Sequence, residues 1–147
     1  MIVVDTSVVA YLFLPGDHTE AARAALAVDA AWAAPLLWRS EFRNVLALYL
    51  REGHLALAAA LRVQAAAEGM LAGREYAVDS AAVLRLAATS GRSAYDCEFV
   101  ALAQALAIPL VTSDRQLLAR FPEMTVALSA FAVAARGTRA LRNSPRK

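Results

Sequence analysis

The sequence predicts an α/β fold built on a mostly parallel sheet, and three observations carry that expectation. Two short apolar runs rich in β-branched residues, Ile2-Val3-Val4 and Leu110-Val111-Thr112, have the length and composition of fully buried strands. Longer stretches between and around them carry apolar residues at helical spacing. The two kinds of segment alternate along the chain, which is the pattern of a layered α/β domain.

The elements follow in order. After the first strand, Thr6 or Ser7 is placed to cap a helix reaching about Leu14, which Pro15-Gly16 ends. Asp17 or Thr19 opens a second helix to about Val28, and residues 32–34 form a weak strand candidate. Residues 38–52 make the clearest amphipathic helix: Phe42, Val45, Leu46, Tyr49 and Leu50 share one face, and Gly53 suits the turn that stops it. Residues 55–70 read as another helix ending near Gly73, residues 76–78 as a strand, and residues 80–88 as a helix stopping by Gly91. Ser93 opens a helix to about Leu106, the second buried strand follows, and Asp114 starts a short helix to Arg120. A strand at 124–126 and a helix after Ser129 complete residues 1–135, with no repeat or linker dividing them.

Composition excludes several classes. The chain is 59% hydrophobic, which raises the question of a membrane. Its longest apolar runs are broken by Gln104 and Pro109, and by Ser129, and fall short of the roughly 18 to 20 residues that a spanning helix needs. The N-terminus lacks a basic segment and carries Asp5 inside its apolar run, so it makes a poor signal peptide. The single cysteine, Cys97, cannot form an internal disulfide, so a cytoplasmic protein is expected. Charge is uneven: residues 136–147 hold five of the fifteen bases and no acid, leaving ten bases against thirteen acids in the rest. Such a basic tail suits either contact with nucleic acid or a disordered, solubilising end.

Ligands of parallel α/β sheets bind beyond the carboxyl ends of the strands. Asp5 directly follows the first buried strand and Asp114 follows the second one after Ser113, so both belong at one sheet edge. Each has a structural explanation of its own: Asp114 as a helix N-cap, Asp5 as an acceptor for the first free N–H groups of a helix. Glu41 borders the apolar stripe of its helix, where an acid costs free energy unless compensated, and Arg39 or Arg43 could pair with it. Ser93-Ala94-Tyr95-Asp96 fits a capping box, a role that does not prevent the Asp96 carboxylate from binding a cation as well. Glu98 falls about 200° around the helix from Asp96 and is expected to face solvent. Acids gathered at one edge would repel each other, and Mg²⁺ or Mn²⁺ resolves that repulsion with oxygen ligands. There is no Cys/His cluster for zinc, since His18 and His54 lie far apart in the sequence, at positions expected on the surface.

Four segments of this chain resemble the motifs of PIN domains. They are Ile2-Val3-Val4-Asp5-Thr6-Ser7-Val8, Ser40-Glu41-Phe42-Arg43-Asn44-Val45-Leu46, Tyr95-Asp96-Cys97-Glu98-Phe99-Val100-Ala101-Leu102-Ala103 and Leu110-Val111-Thr112-Ser113-Asp114-Arg115-Gln116-Leu117. The resemblance covers residues 2 to about 126 and is closest to VapC-type toxins of bacterial toxin–antitoxin pairs. Cys97 departs from it, standing where alanine is common, and the basic tail is an individual extension. The resemblance implies a three-layer α/β/α sandwich and an endoribonuclease using Mg²⁺ or Mn²⁺. It implies a metal site of Asp5, Glu41, Asp96 and Asp114, with Thr6, Ser7, Asn44 and Ser113 beside it. It also implies an RNA substrate, an antitoxin partner and a homodimer. Arg115 is a candidate phosphate contact or an ordinary surface charge.

Two other readings compete. A phosphoryl-transfer enzyme with a strand-end aspartate would carry a second acid at position 7, which is Ser7, and a lysine near the phosphate; the only lysine is Lys147. A non-catalytic PIN-like module binding RNA or protein would usually have lost one or more of the acids, and all four are present.

Overall fold

The computed structural model describes residues 1–133. The basic segment from Arg136, and the domain boundary expected at 135, lie outside the described residues. The elements are β1 (Ile2–Val4), α1 (Thr6–Phe13), α2 (Thr19–Val28), β2 (Trp32–Pro35), α3 (Leu37–Arg51), α4 (Leu57–Leu71), β3 (Glu75–Tyr76), α5 (Ser80–Ser90), α6 (Ala94–Leu106), β4 (Leu110–Thr112), α7 (Arg115–Arg120) and β5 (Thr125–Ala127). Residues 128–133 are helical.

The five strands form one sheet in the order β3-β2-β1-β4-β5. Every pair is parallel, with Val3 opposite Ala33 on one side and Leu110 on the other. The expected mostly parallel sheet is therefore wholly parallel, flanked by helices. From β1 the chain moves outward through β2 to β3, then returns across the sheet to β4 and β5. Right-handed crossovers place the helices of the outward path on one face and those of the return path on the other. The contacts agree: α1 packs on α2 and α3, α3 on α4, and α5 on α6. The direction of winding reverses between β1 and β4, and in sheets of this kind the carboxyl ends of the strands at that point form the ligand crevice.

The core explains why these short strands hold. Val3, Val4, Trp32, Ala33, Ala34, Leu110 and Val111 are fully enclosed, so β1, β2 and β4 bury both faces. Trp38 and Phe42 of α3 stack at 5.8 Å between ring centroids and fill the space under the sheet. The two-residue β3 is held from outside the ladder. Glu75 accepts from Trp38 Nε1 at 2.7 Å and from Arg39 Nε and Nη2 at 2.6 and 2.7 Å, a bidentate pair that clamps β3 to α3.

Two local expectations need correcting. The N-cap of α1 is Asp5, which accepts from the Val8 N–H, rather than Thr6 or Ser7. Arg39 pairs with Glu75 and Glu68, and Arg43 donates to Ser40, so neither arginine pairs with Glu41. The remaining boundaries differ by a few residues at most, as helix and strand ends commonly do.

Candidate active site

The crevice between β1 and β4 collects acids from four segments. Asp5 leaves β1 with its backbone N–H reaching the Val111 carbonyl of β4 at 3.4 Å. One carboxylate oxygen accepts from Val8 N at 2.9 Å, and the other accepts from the Thr112 hydroxyl. Burial forces the acid against its charge. Asp5 is only 7% exposed. Desolvation, with Asp114 nearby, pushes its pKa from 3.8 to about 6, although Thr112 and Val8 pull the other way.

Thr112 joins Asp5 to the fourth segment. Its hydroxyl donates to Asp5 and accepts from the Asp114 N–H at 2.9 Å. Asp114 caps α7, accepting from Gln116 N at 2.7 Å and Leu117 N at 3.1 Å through one oxygen. Its second oxygen faces the guanidinium of Arg92 at 3.6 Å. The N-cap explanation for Asp114 is thus correct and accounts for half of its carboxylate.

Glu41 enters from α3, one turn into the helix. The Thr6 hydroxyl donates to it. Burial raises its pKa, and the negative charges of Asp5, Asp96 and Glu98 add to the rise. Arg39 and Arg43 are engaged elsewhere, so neither pairs with Glu41. Asp96 lies in the first turn of α6. Ser93 accepts from its N–H at 3.1 Å, half of the expected capping box, while the Asp96 carboxylate turns to Arg92 Nη2 at 2.7 Å.

The structure thus brings Asp5, Glu41, Asp96 and Asp114 into electrostatic reach of one another. Glu98 corrects an expectation: it is half-buried, its pKa is raised by desolvation, and its charge reaches Glu41. The helical wheel considered α6 alone and took no account of Glu41 on α3, whose charge both Asp96 and Glu98 reach. Among the residues expected beside the acids, Thr6 contacts Glu41 directly. Ser7 and Asn44 are exposed, Asn44 one turn beyond Glu41. Ser113 and Arg115 line a cavity of about 220 Å³ with His18, Thr112 and Ser129, at the ends of β4 and β5. Sequence reasoning missed Thr112 and Arg92. A threonine in a buried strand is an ordinary β-former, so its type carried no signal. Arg92 directly follows Gly91, whose left-handed φ of +69° closes α5 and redirects the chain towards the acids.

The donor set is all oxygen, as a hard divalent cation prefers. Burial is the main cause that raises the pKa of Asp5 and Glu41, and neighbouring acids add to it; a cation bound beside them would offset both. The side chains as placed are not converged. Among the described residues no three His, Cys, Asp or Glu side chains stand in ligating geometry. Each carboxylate is held instead by a neighbour: Asp5 by Thr112, Glu41 by Thr6, Asp96 and Asp114 by Arg92. The residues fit a divalent cation, and binding one requires rotation of these side chains.

Comparison with known proteins agrees with this architecture. The solved structure of PAE2754 from Pyrobaculum aerophilum superposes with a TM-score of 0.73 over 92% of this chain and 96% of that one. At 24% identity that likeness shows a shared fold. No curated protein matches the chain in sequence. Among the described residues no helix is long and apolar enough to cross a membrane. The PIN domain family model matches residues 2–123, and the chain belongs to the PIN domain family, whose members are typically metal-dependent nucleases.

Proposed function

We propose that this protein is a metal-dependent endoribonuclease of the toxin type, hydrolysing RNA phosphodiester bonds at the β1–β4 crevice. The observation that carries the reading is the gathering of four carboxylates from distant segments at the switch point of the sheet, with Asp5 and Glu41 both raised in pKa. Asp5, Glu41, Asp96 and Asp114 would hold Mg²⁺ or Mn²⁺. A divalent cation bound there neutralises phosphate charge and acidifies water for attack on phosphorus.

The remaining roles belong to this chain's own groups. Thr112 and Thr6 fix the rotamers of Asp5 and Glu41 through their hydroxyls. Arg115 and Ser113, on the cavity beside Asp114, contact the RNA backbone; Ser7 and Asn44 lie on the open side, where the strand would pass. An antitoxin protein would block this face, and a homodimer would present two such sites. Leu57 and Leu61, one turn apart on α4 and more than 60% exposed, offer apolar surface for one of these partners.

The test is incubation of purified protein with total RNA, with and without Mg²⁺ or Mn²⁺, followed by mapping of the new ends. Cleavage that needs the cation and disappears in Asp96→Asn, with the circular dichroism spectrum unchanged, is the expected result. Full cleavage in excess EDTA or in Asp96→Asn overturns the scheme. Metal uptake or RNA binding without any cleavage would indicate a non-catalytic binding module instead.

A further inference from the structure

Arg92 is placed as no surface arginine would be. Its Nη2 donates to Asp96 at 2.7 Å and stands 3.6 Å from Asp114, while Nη1 donates to the Gln116 side chain. The side chain is 21% exposed, and its Nε–H is buried with no hydrogen-bond partner among the described residues. The guanidinium therefore bridges two carboxylates from segments that meet only in the folded protein. It leaves one of its own donors unsatisfied in doing so. A purely structural arginine would be expected to satisfy all its buried donors. Its two acids are also half of the set that the crevice assembles.

We infer that Arg92 is an internal counter-cation, occupying the Asp96–Asp114 side of the crevice and exchanging with a divalent ion for those carboxylates. The inference rests on the proposed metal site. One positive group can balance one of these acids, and a dication that takes both must displace the guanidinium or weaken its pairs. The unpartnered Nε–H makes that exchange easier, because the group being displaced is incompletely bonded where it stands. Arg92 then sets how much free cation is needed to load the site, and stops the acids repelling one another until it is loaded.

Mn²⁺ binding, followed by electron paramagnetic resonance of free Mn²⁺ or by calorimetry, tests this without reference to activity. Arg92→Gln removes the competing charge and is expected to tighten Mn²⁺ binding roughly tenfold. A dissociation constant unchanged or weakened in Arg92→Gln overturns the inference. Absence of Mn²⁺ binding in both proteins defeats the metal-site reading itself, a distinguishable result. Should Arg92→Gln fail to fold, the unaltered protein suffices. The Nε–H resonance of Arg92 is expected to shift or broaden with Mg²⁺ at the same half-saturation as the carboxylate signals. A resonance that stays fixed while Mg²⁺ binds overturns the inference equally.

Discussion

Replacing Asp5 by asparagine should stabilise the metal-free protein at neutral pH, although Asp5 is the acid most enclosed by the fold. The folded state raises its pKa from 3.8 to about 6. At 1.36 kcal/mol per pH unit this penalty reaches about 3 kcal/mol once both states are ionised. The sign follows from the direction. Between pH 3.8 and about 6 the unfolded chain has released this proton while the folded chain still holds it. Stability is therefore intact below the lower value, declines as pH rises through the interval, and stays reduced above it. Asparagine removes the charge. Its amide oxygen can still accept from Val8 N, but its NH₂ cannot accept from Thr112, a loss of about 1 kcal/mol. The net gain is about 2 kcal/mol at pH 7.5, or a Tm increase of roughly 4 to 8 °C for a domain of this size. Near pH 4 the gain should vanish or reverse. Thermal unfolding in EDTA at the two pH values measures both. A lower Tm for Asp5→Asn at pH 7.5, or the same displacement at both pH values, refutes the argument that burial strains this carboxylate.

Other outcomes follow from the same geometry. Thr112→Val removes the hydroxyl shared by Asp5 and the Asp114 N–H. It should cost about 1 to 3 kcal/mol in chemical denaturation and raise the Asp5 pKa further, read by carboxyl-carbon NMR titration. Mn²⁺ affinity should fall as pH drops below about 6, because Asp5 then carries a proton; binding that is flat from pH 7.5 to 5 would exclude Asp5 as a ligand. Arg39 and Trp38 hold the Glu75 carboxyl below its ordinary pKa, so this clamp stabilises the fold above the unfolded pKa near 4.5 and loses its effect as pH falls through the lower folded value. Glu75→Gln should therefore lower the urea midpoint at pH 7 and do so progressively less as the pH is taken below 4.5. Phe42→Ala, in the packed layer against Trp38, should cost about 3 to 5 kcal/mol.

Most of the fold was legible because its signals are local. Ile2-Val3-Val4 and Leu110-Val111-Thr112 cannot cover their apolar faces except inside a sheet, and both became central strands. Asp5 and Asp114 were legible as strand-end residues because parallel sheets place chain ends at a common edge. The features that escaped depend on contacts between segments remote in sequence. Glu98 was judged on its own helix, yet the fold half-buries it and brings its charge within reach of Glu41 on α3. Arg39 was matched to Glu41 by proximity along α3, yet Glu75 offers it a bidentate partner that only the β2–β3 pairing brings close. Arg92 carries no pattern of its own; its position depends on the turn at Gly91 and the packing of α5 on α6.

The hydrogen bond from Thr112 to Asp5 spans 107 positions of the chain. That separation has a consequence during synthesis. A polypeptide still emerging from the ribosome displays β1, β2 and β3, with Asp5 and Glu41 already exposed, long before β4 arrives to insert beside β1. At about 5 to 20 residues per second, several seconds pass in which the nascent chain is surrounded by RNA yet holds only part of the set of acids. Withholding β4 until late means that, under the proposed function, the enzyme would be inert beside the machinery that makes it.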